Sequence, residues 1–203
     1  MTSPARRAAL PLAAVALVAG TIGVQLGHGG GTYEPLRPAD ACIERPVTSQ
    51  VDGIEGLTER LVLIGIDDAA CTLGTSREAL TLRIAQADEP TAAEIGALRR
   101  GLLSAVRRMK ADGTLPPASD LVDEVLGSAD LNPLLERVVR ALPDSAINAA
   151  LKTDDVLRRT IEGLDLRRLL RDVDDVSAID EQIEPAVTQA VKDSLEARVR
   201  DLV

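Results

Sequence analysis

Two cysteines are the side chains with the clearest chemistry in this sequence. Cys42 and Cys71 are the only cysteines, and in an exported chain such a pair meets an oxidising compartment, where it usually forms a disulfide. We therefore predict a bridge that ties a spacer to the first helical unit and stabilises the fold by about 3 kcal/mol. The alternatives are two buried thiols that pack as small apolar residues, or a zinc site. We disfavour zinc because the one histidine, His28, lies in the spacer.

Side chains suited to catalysis are sparse. No histidine lies beyond the spacer, so the predicted folded part has no imidazole base. The serines are scattered at predicted helix starts, where a hydroxyl caps backbone N–H groups. No glycine-rich phosphate-binding loop of the usual form occurs. We therefore predict a protein that is not an enzyme and that uses no cofactor.

Acidic residues cluster near the C-terminal end, where carboxylates could ligate calcium. The cluster lacks the spacing and the central glycine of an EF-hand loop. A solvated acidic helix end explains such a charge run more simply, so we predict no metal site. The residues concerned are Asp172, Asp174, Asp175, Asp180 and Glu181.

One stretch, residues 69–80, resembles the core of a helix-turn-helix motif. Small residues precede a turn glycine, and an apolar residue follows at the expected distance: Ala69, Ala70, Leu73, Gly74, Ser76 and Leu80. Arg83 departs from the pattern, which has an apolar residue there. Arg77 and Arg83 accompany Glu78 on the second helix, so phosphate attraction is weak. We predict no nucleic-acid partner, and read the stretch as two packed helices joined at a glycine turn.

The elements that would position these residues follow an uncharged apolar stretch at residues 8–26, with Arg6 and Arg7 before it. A helix of that length rises about 28 Å, close to the hydrocarbon thickness of a bilayer. The preceding arginines favour a cytoplasmic N-terminus. We therefore predict a signal anchor or transmembrane helix within residues 1–27, with the rest of the chain outside the cytoplasmic membrane.

Two other interpretations of the apolar stretch stay open. A cleaved signal peptide would use residues 10–18 as its apolar region, although no clean Ala-x-Ala site follows, and the product would be secreted. A buried core helix is the third interpretation. It is disfavoured because the stretch is N-terminal, follows basic residues and lacks amphipathic periodicity.

The length of the remaining chain suits one ordinary domain. Its composition limits the core of that domain to aliphatic side chains. The sequence has no Phe or Trp, and its net charge is −9, from 32 acidic and 23 basic residues. Such a balance argues against docking on nucleic acid or on anionic lipid headgroups. The Ala-, Arg-, Asp- and Val-rich usage resembles that of a high-GC bacterium.

An all-α fold is predicted after an extended Pro- and Gly-rich linker at residues 28–46. Apolar residues recur at helical spacing up to Gly65, which we expect to end the first helix. Capping-box patterns begin at Thr75 and at Thr91. The N-terminal helical subdomain, residues 47–115, is predicted to contain helices at about 48–64, 68–73, 76–87 and 91–111.

The C-terminal helical region, residues 116–203, follows a break at Pro116-Pro117. Similar patterns at 130–138 and 165–173 are read either as a helical repeat or as two ordinary capped helices. Apolar residues four apart from Ile179 to Val199 should wind around the last helix, with Pro185 in its first turn or at a kink. The simpler interpretation, which we favour, is a solvated helix with one buried side. Helices are predicted at 119–127, 132–142, 144–151, 154–162, 166–173 and 177–203.

These observations favour a membrane-tethered or exported helical bundle that binds or scaffolds a protein partner, or self-associates, at the outer face of a bacterial cytoplasmic membrane. The alternative is a bundle that binds an apolar ligand or a lipid, since an aliphatic core can enclose a dry cavity. A DNA-binding regulator is a remote third hypothesis.

Overall fold

A computed structural model of the chain describes residues 17–28, 37–47, 51–87, 89–128, 140–172 and 174–201. All regular secondary structure in these ranges is helical, which confirms the predicted all-α class. The chain divides into two compact units, Met1–Arg37 and Pro38–Val203. The finer division that we predict at Pro116-Pro117 stays a prediction.

The first unit contains helix α1 at residues 17–27. Its large aliphatic side chains are all exposed: Leu17, Val18, Ile22, Val24 and Leu26. Among the described residues, none of the helices combines the length and apolar character needed to span a bilayer. The predicted membrane segment starts at residue 8, so its first half lies outside the described residues, as do residues 29–36 of the predicted linker.

Eight helices are described in the second unit. They are α2 (Gly53–Thr72), α3 (Arg77–Gln86), α4 (Ala92–Ala111), α5 (Ala118–Ser128), α6 (Asp144–Ala150), α7 (Thr153–Gly163), α8 (Leu166–Arg171) and α9 (Val176–Asp201). The helix predicted at 132–142 and the first half of the suggested repeat lie almost wholly outside the described residues.

Local capping chemistry explains where several of these helices begin. Thr91 and Glu94 form a reciprocal capping box at the start of α4, and Asp165 accepts two backbone N–H groups at the start of α8. Both starts are as predicted. The predicted Thr75 cap is wrong by one residue, because Ser76 is the residue whose hydroxyl accepts the N–H of Ala79. Each cap satisfies donors that have no partner inside the helix.

The predicted break at Gly65 is wrong, because α2 runs unbroken through it. Gly65 lies where α2 crosses α4. A Cβ added to Gly101 of α4 would overlap the carbonyl oxygen of Gly65 and lie 3.1 Å from the backbone nitrogen of Ala69. The two glycines therefore allow the helix backbones to touch, and this packing outweighs their low helix propensity.

Two aliphatic clusters flank this crossing and form the core. One contains Ala41, Ala69, Ala70, Leu80, Ala97, Leu98 and Leu166. The other contains Leu57, Leu61, Ala105, Val106, Met109 and Ile161. The many alanines fit the close approach of α2 and α4, since a small side chain lets neighbouring helix backbones come near each other.

Helix α9 packs chiefly on α7 and buries a face rich in small side chains. Ala190 and Ser194 are buried on this face, whereas Val187 and Leu195 are 37% and 38% exposed. Val187 and Leu195 of the apolar series therefore lie away from the most buried side of the helix, whereas the winding of the whole series stays a prediction. Pro185 lies inside the helix rather than in its first turn, so the first-turn placement is wrong.

Candidate binding cleft

The predicted disulfide is present. Cys42 and Cys71 are bonded, with their Cα atoms 4.8 Å apart and 29 positions apart in the sequence. The bond joins a short segment, residues 41–45, to the C-terminal part of α2. We call this segment the strap. Neither alternative for the cysteines, free buried thiols or a zinc site, applies to the bonded pair.

Packing and charge hold the strap at further points. Ala41 is buried in the first core cluster, and the backbone N–H of Cys42 donates to a carboxylate oxygen of Asp40 at 2.9 Å. Arg45 donates to Asp67 of α2 and, at 3.1 Å, to Glu78 of α3. The strap is therefore fixed at both ends and not by the disulfide alone.

A charged network surrounds Arg45. Asp67, whose side chain is only 12% exposed, also pairs with Arg77 at 3.3 Å. Hydrogen bonds to Asp67 and then to Glu78 raise the pKa of the Arg45 guanidinium. A backbone N–H and Arg45 together lower the pKa of the Glu78 carboxyl. The charges of Arg45 and Glu78 are thus stabilised in their ionised forms.

An open cleft of about 570 Å³ lies between the strap and helices α2 and α4. Its volume is in the range of ordinary ligand sites. The disulfide and the exposed side chain of Ile43 contribute to one wall, and α4 contributes Arg100, Ser104, Arg107 and Arg108 to the other. The crossing at Gly101 and Gly65 brings the α4 face against α2.

The charges that line the cleft are only partly balanced. Arg45 pairs with Asp67, and Arg108 pairs with Asp68 at 2.7 Å. Arg100 and Arg107 are exposed, and no hydrogen bond or ion pair joins either of them to the described part of the chain. Four arginines and three carboxylates, Glu44 among them, line the cleft, so its lining is slightly positive on a protein whose net charge is −9.

The sequence pattern gave no indication of this cleft. Arg100 and Arg107 are two helical turns apart on α4, so their spacing predicts one shared face. The strap that makes this face a cleft depends on long-range contacts through Cys42 and Arg45. The signal that identifies the two arginines is a pair of charged residues at helical spacing on the side of α4 opposite its predicted apolar face.

The stretch that resembles a helix-turn-helix forms a tight corner between α2 and α3. Gly74 adopts a positive φ of 65° in the turn, and Ala69, Ala70 and Leu80 are fully buried beside it. Two helices packed at a glycine turn are therefore present. Both arginines of the second helix pair inside the chain, Arg77 with Asp67 and Arg83 with Glu94 at 2.6 Å.

The acidic cluster near the C-terminal end is partly engaged in local contacts. Asp172 lies 3.8 Å from Arg168 and accepts a hydrogen bond from Gln182. Across the residues that the structure describes, no group of three or more His, Cys, Asp or Glu residues could hold a metal ion.

Together, the fold and the cleft define a disulfide-linked, all-α protein with an open, arginine-bearing cleft. Comparison with protein-family models found no matching family, and comparisons with curated proteins and with solved structures found no match either.

Proposed function

We propose that this protein is a non-catalytic protein-binding module at the outer face of a bacterial cytoplasmic membrane. The Cys42–Cys71 disulfide is the observation that carries the proposal, because disulfides form and persist outside the reducing cytosol. The cleft beside it would be the binding surface, with its strap fixed in advance of binding.

The proposed tether is the apolar segment at residues 8–26. It is uncharged and follows Arg6 and Arg7, and the described helix at its C-terminal end exposes all its large aliphatic side chains. Such side chains favour an apolar surrounding over water. The alternative is that this segment is a signal peptide that is removed, which would leave the same module secreted.

Protein binding suits the cleft better than apolar-ligand binding does. An apolar ligand needs a pocket with largely aliphatic walls, whereas four arginines and three carboxylates line this one. Two of the arginines pair with Asp67 and Asp68, and the other two lie in the lining together with Glu44, which favours recognition of a polar, charged surface. The single histidine, His28, is not among the lining residues, which supports a non-catalytic role.

Photo-crosslinking in living cells of the source bacterium tests this proposal. Ser104, half-buried in the cleft, would be replaced by a photoreactive amino acid in the full chain. The matched control would carry the same amino acid at Thr188, which is exposed on α9 and is not one of the residues that line the cleft. We expect a discrete protein adduct from position 104 alone. Equal adduct patterns at both positions, or none at 104, would contradict a binding role for the cleft.

A further inference from the structure

We propose that the cleft binds an acidic, extended peptide segment of the partner protein, with Arg100 and Arg107 as its carboxylate-binding residues. This inference rests on the proposed binding function and specifies the chemistry of the partner. It starts from the two guanidinium groups that face the cleft without a partner among the described residues.

The spacing of the two arginines favours an extended ligand over a small anion. They are seven residues apart on α4, so their Cα atoms are separated by about 10.5 Å along the helix axis. Side chains on a helix lean toward its N-terminus, and the Arg100 guanidinium lies beside Gly96, one turn back. Because both lean the same way, the two guanidinium groups stay apart, whereas a single carboxylate or phosphate needs them to converge.

The other walls of the cleft suit a polypeptide. Ile43 is 65% exposed on the strap, so it offers an apolar contact beside the charged face. Ser104 lies between the arginines on the same helix face, and its hydroxyl has no partner among the described residues. A peptide supplies carboxylates, backbone carbonyls and aliphatic side chains together, while a free inorganic anion supplies only the first kind of contact.

The ion pairs in the lining determine which of its charges can contact a ligand. Arg45 and Arg108 are paired with Asp67 and Asp68, so Arg100 and Arg107 are the two lining arginines without an ion pair to the described residues. Glu44 is the remaining carboxylate in the lining. Its negative charge would repel an acidic segment. Removal of this charge should therefore strengthen binding, whereas removal of the two arginines should weaken it.

The test is a fluorescence-polarisation titration of the purified full chain, with its disulfide intact, in mild detergent. The probe is a short fluorescein-labelled peptide in which glutamate alternates with leucine and serine. At about 50 mM NaCl, where exposed charges are screened little, we expect binding that R100Q/R107Q weakens at least about tenfold. We expect E44Q to strengthen binding by about twofold, because it removes one repulsive charge.

The charge-matched control is R171Q/R200Q, which removes two exposed arginines outside the cleft lining. This variant should bind the peptide within about twofold of the unmodified chain. Thermal unfolding midpoints of all variants should agree, since none of the substituted side chains is buried. If R100Q/R107Q has a lower midpoint, peptide binding would be measured for the single variants R100Q and R107Q instead. Each of them should still bind the peptide more weakly than the unmodified chain.

Three results would overturn the proposal. They are equal peptide affinity for R100Q/R107Q and R171Q/R200Q, equal affinity for a peptide with glutamine in place of each glutamate, and displacement of the peptide by inorganic phosphate at the peptide's own concentration range. The last result would assign a small-anion site. All three are measured on the purified chain, so they are distinct from a failure of the proposed function, which is read from adducts in cells.

Discussion

Asp155 shows how arginine decides the charge state of a half-buried carboxylate in this protein. Burial raises the pKa of the Asp155 carboxyl, but hydrogen bonds from Arg159 and then Arg158 outweigh it and lower that pKa to about 2. The guanidinium nitrogens lie 2.9 Å and 2.5 Å from the two carboxylate oxygens. Because the pKa is lower in the folded chain than the ordinary 3.8, ionised Asp155 stabilises the folded state.

We therefore expect a specific loss of stability in acid. The contribution of Asp155 is complete above about pH 4 and is lost as the pH falls toward 2. After solvent screening it amounts to about 1 kcal/mol. Urea unfolding of D155N should show that loss at pH 7, and the difference from the unmodified chain should shrink below about pH 3. D123N, at an exposed site on α5, is the control. A difference for D155N that does not change with pH would contradict the assignment.

The helix crossing of α2 and α4 is the element on which the cleft depends. Residues of α4 on either side of Gly101 face two different environments, the core through Leu98 and Val106 and the cleft through Arg100 and Arg107. If the helices moved apart at the crossing, the cleft wall and both core clusters would change together. The glycine pair is therefore a requirement of the site as well as of the core.

Two glycine substitutions in the same helix test this. G101A should destabilise the chain by about 3 kcal/mol, because its new methyl group would overlap the backbone of α2. G96A is the matched control. Its methyl group would meet only the flexible end of Arg100, at 3.3 Å, so a gain of up to about 1 kcal/mol in helix propensity is expected. Urea unfolding midpoints would measure both, and equal effects would refute the close crossing.

Sequence reasoning predicted the helix starts better than it predicted the contacts between helices. The starts at Thr91 and Asp165 depend on residues within one turn, so their patterns are readable locally. The predicted helix break at Gly65 was wrong because low helix propensity is a local property. The role of Gly65 depends on its contact with Gly101, 36 positions away in the sequence. The disulfide was predictable from the count of two cysteines. The cleft was not, since it needs the strap, α2 and α4 placed together.

At the scale of the whole molecule, arginine side chains complement a core that has no Phe or Trp. Arg99 donates to the carbonyl oxygens of Ile161, Glu162 and Leu164 at the end of α7, at 2.5 to 2.8 Å. Arg167 donates to the carbonyl oxygen of Pro90 at 2.8 Å. These bonds join residues more than sixty positions apart. They satisfy carbonyl groups that helix ends and loops leave without partners.

Arg100 and Arg107 differ from these arginines because they line a cleft without pairing to a described residue. In a protein of net charge −9, Arg45 of the strap, Arg77 of α3, Arg158 of α7 and Arg167 of α8 pair with carboxylates of the chain. Both arginines face one open cleft beside a strap that a disulfide holds. We therefore propose this cleft as the binding surface of the molecule. That interpretation requires the strap to be bonded in the native protein.

The redox state of Cys42 and Cys71 in the cell therefore tests the account most directly. Intact cells of the source organism would be treated with one alkylating reagent, lysed under denaturing conditions, reduced and treated with a second reagent of different mass. We expect both cysteines to carry only the second label, and the unreduced sample to yield one linked peptide pair. Both cysteines carrying the first label would contradict the bonded strap and, with it, the location that we propose outside the cytosol.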